Sequence, residues 1–347
     1  MTNRIDDEDF EPLPPRRPLL RRKRVLIPLA ALVAILAAFL LLRTPDTDRD
    51  AMIAKYGGAD AAFAAGPGGQ RVHYRDQGKP GAPAIILLHG SNSSLHTWEP
   101  LVRRLGADYR IVTLDLPGHG LTGGTPDKNY GAGGMAAAVD IVAAKLGIER
   151  FVLGGNSMGG WVAWRYALAH PDRVDALLLL DAAGMPLRRG EKAPESNVGF
   201  RILKYPFGRW LATQITPRAL VEQSLRGSVE NQAIVDAAMV DRYWELLRFP
   251  GNREATVLRA RQDREPAMAA RVGEITAPTL ILFGTEDRLI NASAAQTFHE
   301  RIAASEVVLL DGIGHLPMEE APDATAEAIA GFLTRRLAAP ELRPETR

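Results

Sequence analysis

The residue in this chain best placed to do chemistry is Ser157, in the run Gly155-Asn156-Ser157-Met158-Gly159-Gly160. The run follows an apolar stretch, FVLGGN (151–156), and precedes a helix-forming one, so it reads as a strand-to-helix turn. Glycines two positions either side of the serine remove side chains that would collide in so tight a turn. Such a turn strains the serine backbone and exposes its hydroxyl. The N–H groups that open the following helix then favour negative charge developing nearby. With nine serines and 32 glycines in 347 residues, chance alone yields about 0.08 matches to this pattern.

A serine hydroxyl is a weak nucleophile until a base takes its proton. Of seven histidines, His315 ends the run Leu310-Asp311-Gly312-Ile313-Gly314-His315, a glycine-rich loop after the last apolar stretch. From there it can reach the C-terminal edge of a parallel sheet. An acid must fix the tautomer and stabilise the imidazolium. Asp287, in Gly284-Thr285-Glu286-Asp287-Arg288, follows the preceding strand and gives the chain order Ser, acid, His. Asp181 is a rival acid, because it ends the strand after the nucleophile helix; its bland reading is a loop cap. The backbone N–H groups of Ser91, in His89-Gly90-Ser91-Asn92-Ser93, and of Met158 are the expected oxyanion donors. His89 and the run Asp115-Leu116-Pro117-Gly118-His119-Gly120 read as structural. His73, His96, His170 and His299 show no paired feature. No cluster has metal-ligand spacing, and there is no Walker loop and no G-x-G-x-x-G after a strand. Neither metal nor cofactor is expected.

These residues need a sheet whose strand ends converge. Strand candidates are 71–76, 84–89, 110–115, 151–156, 174–181, 279–284 and 306–311, mostly unbroken apolar runs suited to burial on both faces. Helix candidates at 134–146, 158–170 and 321–337 alternate with them, the pattern of a doubly wound α/β sheet. Between Asp181 and Thr279 lie nearly a hundred residues without a clear strand, with helical patterns at 217–225, 230–248 and 253–271. A structureless loop of that length is improbable, so a helical insertion at about 185–275 is expected. Its aromatics, Phe200, Tyr205, Phe207, Trp210, Tyr243, Trp244 and Phe249, either line a pocket or form the insertion's own core.

Lys plus Arg total 42 against 41 Asp plus Glu, a net charge of +1. A near-neutral body gives no electrostatic reason to expect a nucleic-acid partner. Cysteine is absent, which excludes disulfides and thiolate chemistry. Residues 25–42, VLIPLAALVAILAAFLLL, carry no charge. At about 1.5 Å per residue they cover roughly 27 Å, close to a bilayer core. Six basic residues, Arg16, Arg17, Arg21, Arg22, Lys23 and Arg24, precede the run. A retained single-pass anchor is expected, with residues 1–24 cytoplasmic and the body outside. The competing reading, a cleaved signal peptide, lacks its small-residue cleavage site. Residues 43–60 read as a linker with weak helical character, residues 61–338 as the main domain and 339–347 as a disordered tail.

The segments LLHGSNSSLHTW (87–98), LDLPGHGLT (114–122), GGNSMGGWVAW (154–164), AHPDRV (169–174), LFGTEDRLI (282–290) and GIGHLPMEEAP (312–322) together resemble the α/β-hydrolase superfamily, in its order. That resemblance implies an eight-stranded, mostly parallel sheet, a lid or cap at 185–275, and no cofactor. Members that open epoxides or remove halides carry Asp at the elbow, so Ser157 argues against both. What remains is hydrolysis of a carboxylic ester or related small acyl compound. The Asn-Ser-Met-Gly-Gly stretch also resembles hydrolases of carbon–carbon bonds that act after aromatic ring opening, and acyltransfer or perhydrolysis could use the same triad. A non-catalytic receptor on this fold would have lost one of the three residues, and none is lost. Oligomeric state has no signature in the sequence.

Overall fold

The computed structural model describes residues 20–192, 205–261 and 266–337, with side chains from Leu26 onward and without that of Pro266. The chain divides into two units, Met1–Arg43 and Thr44–Arg347.

In the second unit, eight strands form one sheet in the order β1-β2-β4-β3-β5-β6-β7-β8. They are β1 (Ala61–Ala65), β2 (Arg71–Gly78), β3 (Ala84–Leu88), β4 (Arg110–Leu114), β5 (Phe151–Asn156), β6 (Val174–Leu180), β7 (Thr279–Gly284) and β8 (Ser305–Leu310). From β4 to β8 every neighbouring pair is parallel, whereas β1 and β2 are antiparallel. The β5 and β7 strands are buried at every residue, which is why each reads as an unbroken apolar run.

Helices cover both faces. On one side α4 (Ala132–Leu146), α5 (Met158–Ala169) and α10 (Ser293–Arg301) pack a core containing Val139, Trp164 and Phe298. On the other, α3 (Glu99–Leu105), the short α11 (Pro317–Glu320) and α12 (Pro322–Leu337) pack around Trp98, Leu101 and Phe332. These three side chains have no exposed surface, and burying each contributes about 1.5–3 kcal/mol.

Among the described residues, four α-helices lie in the long stretch between β6 and β7: α6 (Pro206–Gln214), α7 (Arg218–Ser228), α8 (Ala237–Leu247) and α9 (Asn252–Arg259). All four lie within the span 185–275. Its aromatics divide in two. Tyr205, Phe207 and Trp210 are exposed at 68%, 70% and 49%, so α6 turns them outward. Phe249 is fully buried against Leu121 and Leu246. Phe200 lies outside the described residues.

The segment expected to be a linker is more ordered than that. Asp48 caps α2 (Arg49–Tyr56) by accepting from the Ala51 N–H. Residues 44–47 are stitched to the insertion: the Thr44 N–H donates to Gln214 O at 2.9 Å, that of Thr47 to Arg248 O at 3.0 Å, and Arg253 donates to Asp46 at 2.6 Å.

In the first unit, α1 (Leu20–Leu42) contains Pro28 and exposes Leu29, Leu32, Val33, Ile35, Leu36 and Leu40. Among the described residues no helix is long and apolar enough to cross a membrane. The apolar run 25–42 is described with its side chains only from Leu26. Residues 1–19 of the basic segment expected at 1–24, and the whole tail expected at 339–347, lie outside the described residues.

Candidate active site

Ser157 joins β5 to α5 with φ 55° and ψ −116°, a conformation costly for a residue with a side chain. The surroundings hold it there. Its N–H donates to Leu180 O at 3.1 Å, and its carbonyl accepts from Trp161 and Ala183, each at 3.0 Å. The turn closes only because side chains are missing: a Cβ on Gly155 would lie 2.3 Å from the Gly159 backbone, and one on Gly159 would lie 2.0 Å from Leu88 O. Met158 is the first residue of α5, so its N–H has no acceptor within the helix. The turn carrying Ser91 lies against the nucleophile candidate, since a Cβ on Gly90 would sit 3.2 Å from the Ser157 Cβ.

His315 and Asp287 come together. Nδ1 of His315 lies 2.7 Å from Oδ2 of Asp287, and both residues are buried. The other Asp287 oxygen accepts from the Leu289 and Ile290 N–H groups at 2.7 and 3.1 Å. These bonds suit an ionised carboxylate. With its proton on Nδ1, the imidazole keeps Nε2 free to accept one. The His315 backbone is clamped on both sides. Its N–H donates to Ser228 O at 2.8 Å, and its carbonyl accepts from Asn156 Nδ2 at 3.0 Å. Asn156, buried beside Ser157, thus ties the Ser157 turn to the histidine loop. The sequence offered one signal for it, a polar residue closing an apolar strand.

The rival acid is also here. Asp181, Asp287 and His315 each bring a side-chain oxygen or nitrogen within 4.8 Å of the others. Burial, then the neighbouring Asp287 charge, pushes the Asp181 carboxyl well above the usual carboxylate range. Asp287, not Asp181, makes the hydrogen bond to His315.

The Asp115–Gly120 run is a structural hub. Asp115 accepts from the N–H groups of Leu95 and Leu121, both at 2.8 Å, and pairs with His73 Nδ1 at 2.7 Å. Burial opposes its ionisation, but His73, His89 and His96 outweigh burial and hold its carboxyl well below the usual range. His73 therefore has the partner that the sequence did not reveal. So does His96, whose Nε2 lies 3.0 Å from Arg75 Nη2. Burial, with Arg75 and Arg242 nearby, lowers His96 to about 4. His89 is structural as expected: its Nε2 accepts from the Leu116 N–H at 3.0 Å.

Two insertion residues reach toward the site: Tyr243, which the sequence offers only as one of the insertion's aromatics, and Arg259, which it does not single out. Tyr243 OH lies 3.1 Å from Ser93 Oγ and donates to Glu319 at 2.9 Å. Arg259 Nη1 lies 2.8 Å from His119 Nε2 and 2.7 Å from Met158 Sδ. Burial, and then Arg259, hold the His119 imidazole well below its usual range, so its ring accepts from the guanidinium. Helical spacing cannot say which insertion residues turn inward.

Residues 83–322 match the family described as alpha/beta hydrolase fold. The chain is 26% identical over 280 residues to monoacylglycerol lipase abhd6-A of Xenopus laevis, covering 77% of this chain and 80% of that protein. It is 28% identical over 273 residues to 2-hydroxy-6-oxononadienedioate/2-hydroxy-6-oxononatrienedioate hydrolase of Klebsiella pneumoniae, covering 76% of this chain and 91% of that one. Among solved structures, it superposes on a membrane phospholipase A described as a bacterial virulence factor. The TM-score is 0.67 and the identity 27%, over 91% of this chain and all of that one.

Proposed function

The chain belongs to the α/β-hydrolase fold family, and from that premise we propose that it is a serine hydrolase cleaving carboxylic esters or related acyl compounds. The observation that carries this is the buried His315–Asp287 pair at 2.7 Å, whose loop Asn156 ties to the strained Ser157 turn. In the proposed reaction, His315 Nε2 takes the Ser157 Oγ proton as the oxygen attacks the substrate carbonyl. Asp287 holds the Nδ1 proton and stabilises the imidazolium. The N–H groups of Ser91 and Met158 receive the oxyanion. Collapse of the tetrahedral adduct expels the alcohol, protonated by His315, and leaves Ser157 acylated. Water, deprotonated by the same imidazole, then releases the acid.

The 185–275 insertion acts as a cap bounding the acyl pocket, supported by Tyr243 at Ser93 and Arg259 at Met158. The lipase-like relative and the phospholipase structure favour ester cleavage. The Klebsiella relative favours a second reading, carbon–carbon bond hydrolysis on the same triad. The test is a panel of p-nitrophenyl esters of graded chain length beside a vinylogous diketone, with Ser157→Ala as the blank. Ester turnover that vanishes in the blank supports the proposal. Diketone cleavage with inert esters supports the second reading.

The run 25–42 is proposed as a retained membrane anchor, with residues 1–24 cytoplasmic and the enzyme body on the far side. Its support is the uncharged sequence and the basic flank. Full-length protein should stay in the pellet after carbonate extraction. A mature chain beginning after residue 42 would contradict this.

A further inference from the structure

Asp181 needs an explanation of its own. It is fully buried, and one carboxyl oxygen is accounted for: Oδ1 accepts the Gly284 N–H at 3.0 Å. The other, Oδ2, is buried with no donor facing it among the described residues. An acceptor left so would carry the full desolvation penalty of an unmade hydrogen bond. What lies near Asp181 instead is a carboxylate, Asp287, together with a His315 ring nitrogen, all within 4.8 Å. A buried carboxyl with an acceptor near it and no donor for its second oxygen is satisfied by carrying a proton and donating it. The same conclusion follows from charge, since burial and the neighbouring Asp287 both disfavour a second anion there.

The parallel register makes this contact. Leu180 pairs with Leu282, so the residues just past β6 and β7 emerge side by side. Asp181 takes φ +43°, a conformation that Asp and Asn tolerate better than most residues.

We propose that Asp181 is a positioning residue: a neutral carboxylic acid that donates a hydrogen bond to Asp287, orients it toward His315, and replaces it as the histidine's partner when Asp287 loses its charge. The inference rests on the triad reading of Ser157, His315 and Asp287, and goes beyond it by giving the acid site two carboxyl groups with different protonation.

Asparagine imitates a protonated aspartic acid, with an oxygen for the Gly284 N–H and an N–H for Asp287. Asp181→Asn should therefore keep kcat within about threefold of wild type, whereas Asp181→Ala should lower kcat by about ten- to hundredfold with KM nearly unchanged. Asp287→Asn should keep a residual rate, because Asp181 can then ionise beside His315. Adding Asp181→Asn to Asp287→Asn should abolish most of that residue of activity, although Asp181→Asn alone is nearly silent. A merely structural Asp181 would give additive losses and no rescue by asparagine. The variants are made in the full-length chain, with melting temperature measured on each. Asp181→Asn as damaging as Asp181→Ala would overturn the neutral-acid assignment. Equal rates for Asp287→Asn and the double variant would overturn the replacement role. Should Asp181→Ala fail to fold, the two asparagine comparisons still decide the matter. Wild-type kcat in Asp287→Asn would instead bring down the triad reading itself, an outcome distinct from an impaired Asp287→Asn beside a normal Asp181→Ala.

Discussion

Replacing Gly159 by alanine adds one methyl group where the elbow has no room for it. The new Cβ would stand 2.0 Å from Leu88 O, 2.5 Å from Leu88 C and 2.7 Å from His89 O. All three are backbone atoms of β3 and the residue after it, so no side chain can swing aside. Relieving the contact to an ordinary separation requires the start of α5 to retreat from β3 by roughly 1 Å, a strain of about 1–3 kcal/mol in a close-packed site. In a domain of this size that lowers Tm by on the order of 5 °C. The functional loss should be larger. The retreat carries Met158 and Ser157 away from the Ser91 turn, and a misplacement of about 1 Å costs on the order of 10²-fold in rate. Gly331→Ala is the control. It lies inside α12, where the close neighbour of a new Cβ among the described residues is the far end of the Arg335 side chain at 3.3 Å. Removing a helix-interior glycine there should stabilise the protein by about 0.5–1 kcal/mol and leave kcat unchanged. The assays are differential scanning calorimetry and ester turnover on the same preparations. A Gly159→Ala enzyme with Tm and kcat equal to wild type would refute the packing argument.

Other outcomes follow from single contacts. Asp115→Asn removes a buried carboxylate from His73 and from the Leu95 and Leu121 N–H groups, and should cost about 2–3 kcal/mol at pH 7. Because the folded carboxyl is held below its unfolded value, its contribution is present above the unfolded pKa and lost as pH falls below it; acid titration of stability should be steeper in wild type than in Asp115→Asn. Trp244 donates from Nε1 to Thr216 O at 2.7 Å and stacks under Arg248, so Trp244→Ala should lower Tm by several degrees. Phe207→Ser, on the exposed α6 surface, should change Tm by less than about 1 °C. Arg259→Met should change the chain-length preference of ester turnover more than Tm, because the guanidinium reaches Met158 from the cap.

The sheet and the elbow were legible because their constraints are local. β5 must be apolar on both faces, and the turn must lack side chains at Gly155 and Gly159 to close at all. β1 escaped notice for the opposite reason. AAFAA is four alanines around one phenylalanine, a composition of weak strand propensity, and edge pairing with β2 makes it a strand. The sequence placed Asp181 and Asp287 each at a strand end but could not show that parallel pairing of β6 with β7 brings them together. That contact is long-range, as are His73 with Asp115 and Asn156 with His315, which span 42 and 159 residues. Helical spacing in the insertion marks α7, α8 and α9 but not α6, and it does not give their facing. Phe207 and Trp210 on α6, and Tyr205 just before it, turn outward, while Phe249, just past α8, closes a small core with Leu121.

The central claim is that Ser157 is the attacking nucleophile. Its most direct measurement is labelling of the full-length protein with a fluorophosphonate, followed by peptide mass spectrometry. The account predicts one stoichiometric adduct on the peptide containing Gly155-Asn156-Ser157-Met158-Gly159. Labelling and ester turnover should fall together by several decades in folded Ser157→Ala, where about 10⁶ is the measured scale for a serine protease. An adduct on another residue, or a folded Ser157→Ala enzyme that still turns over esters at the wild-type rate, would contradict it.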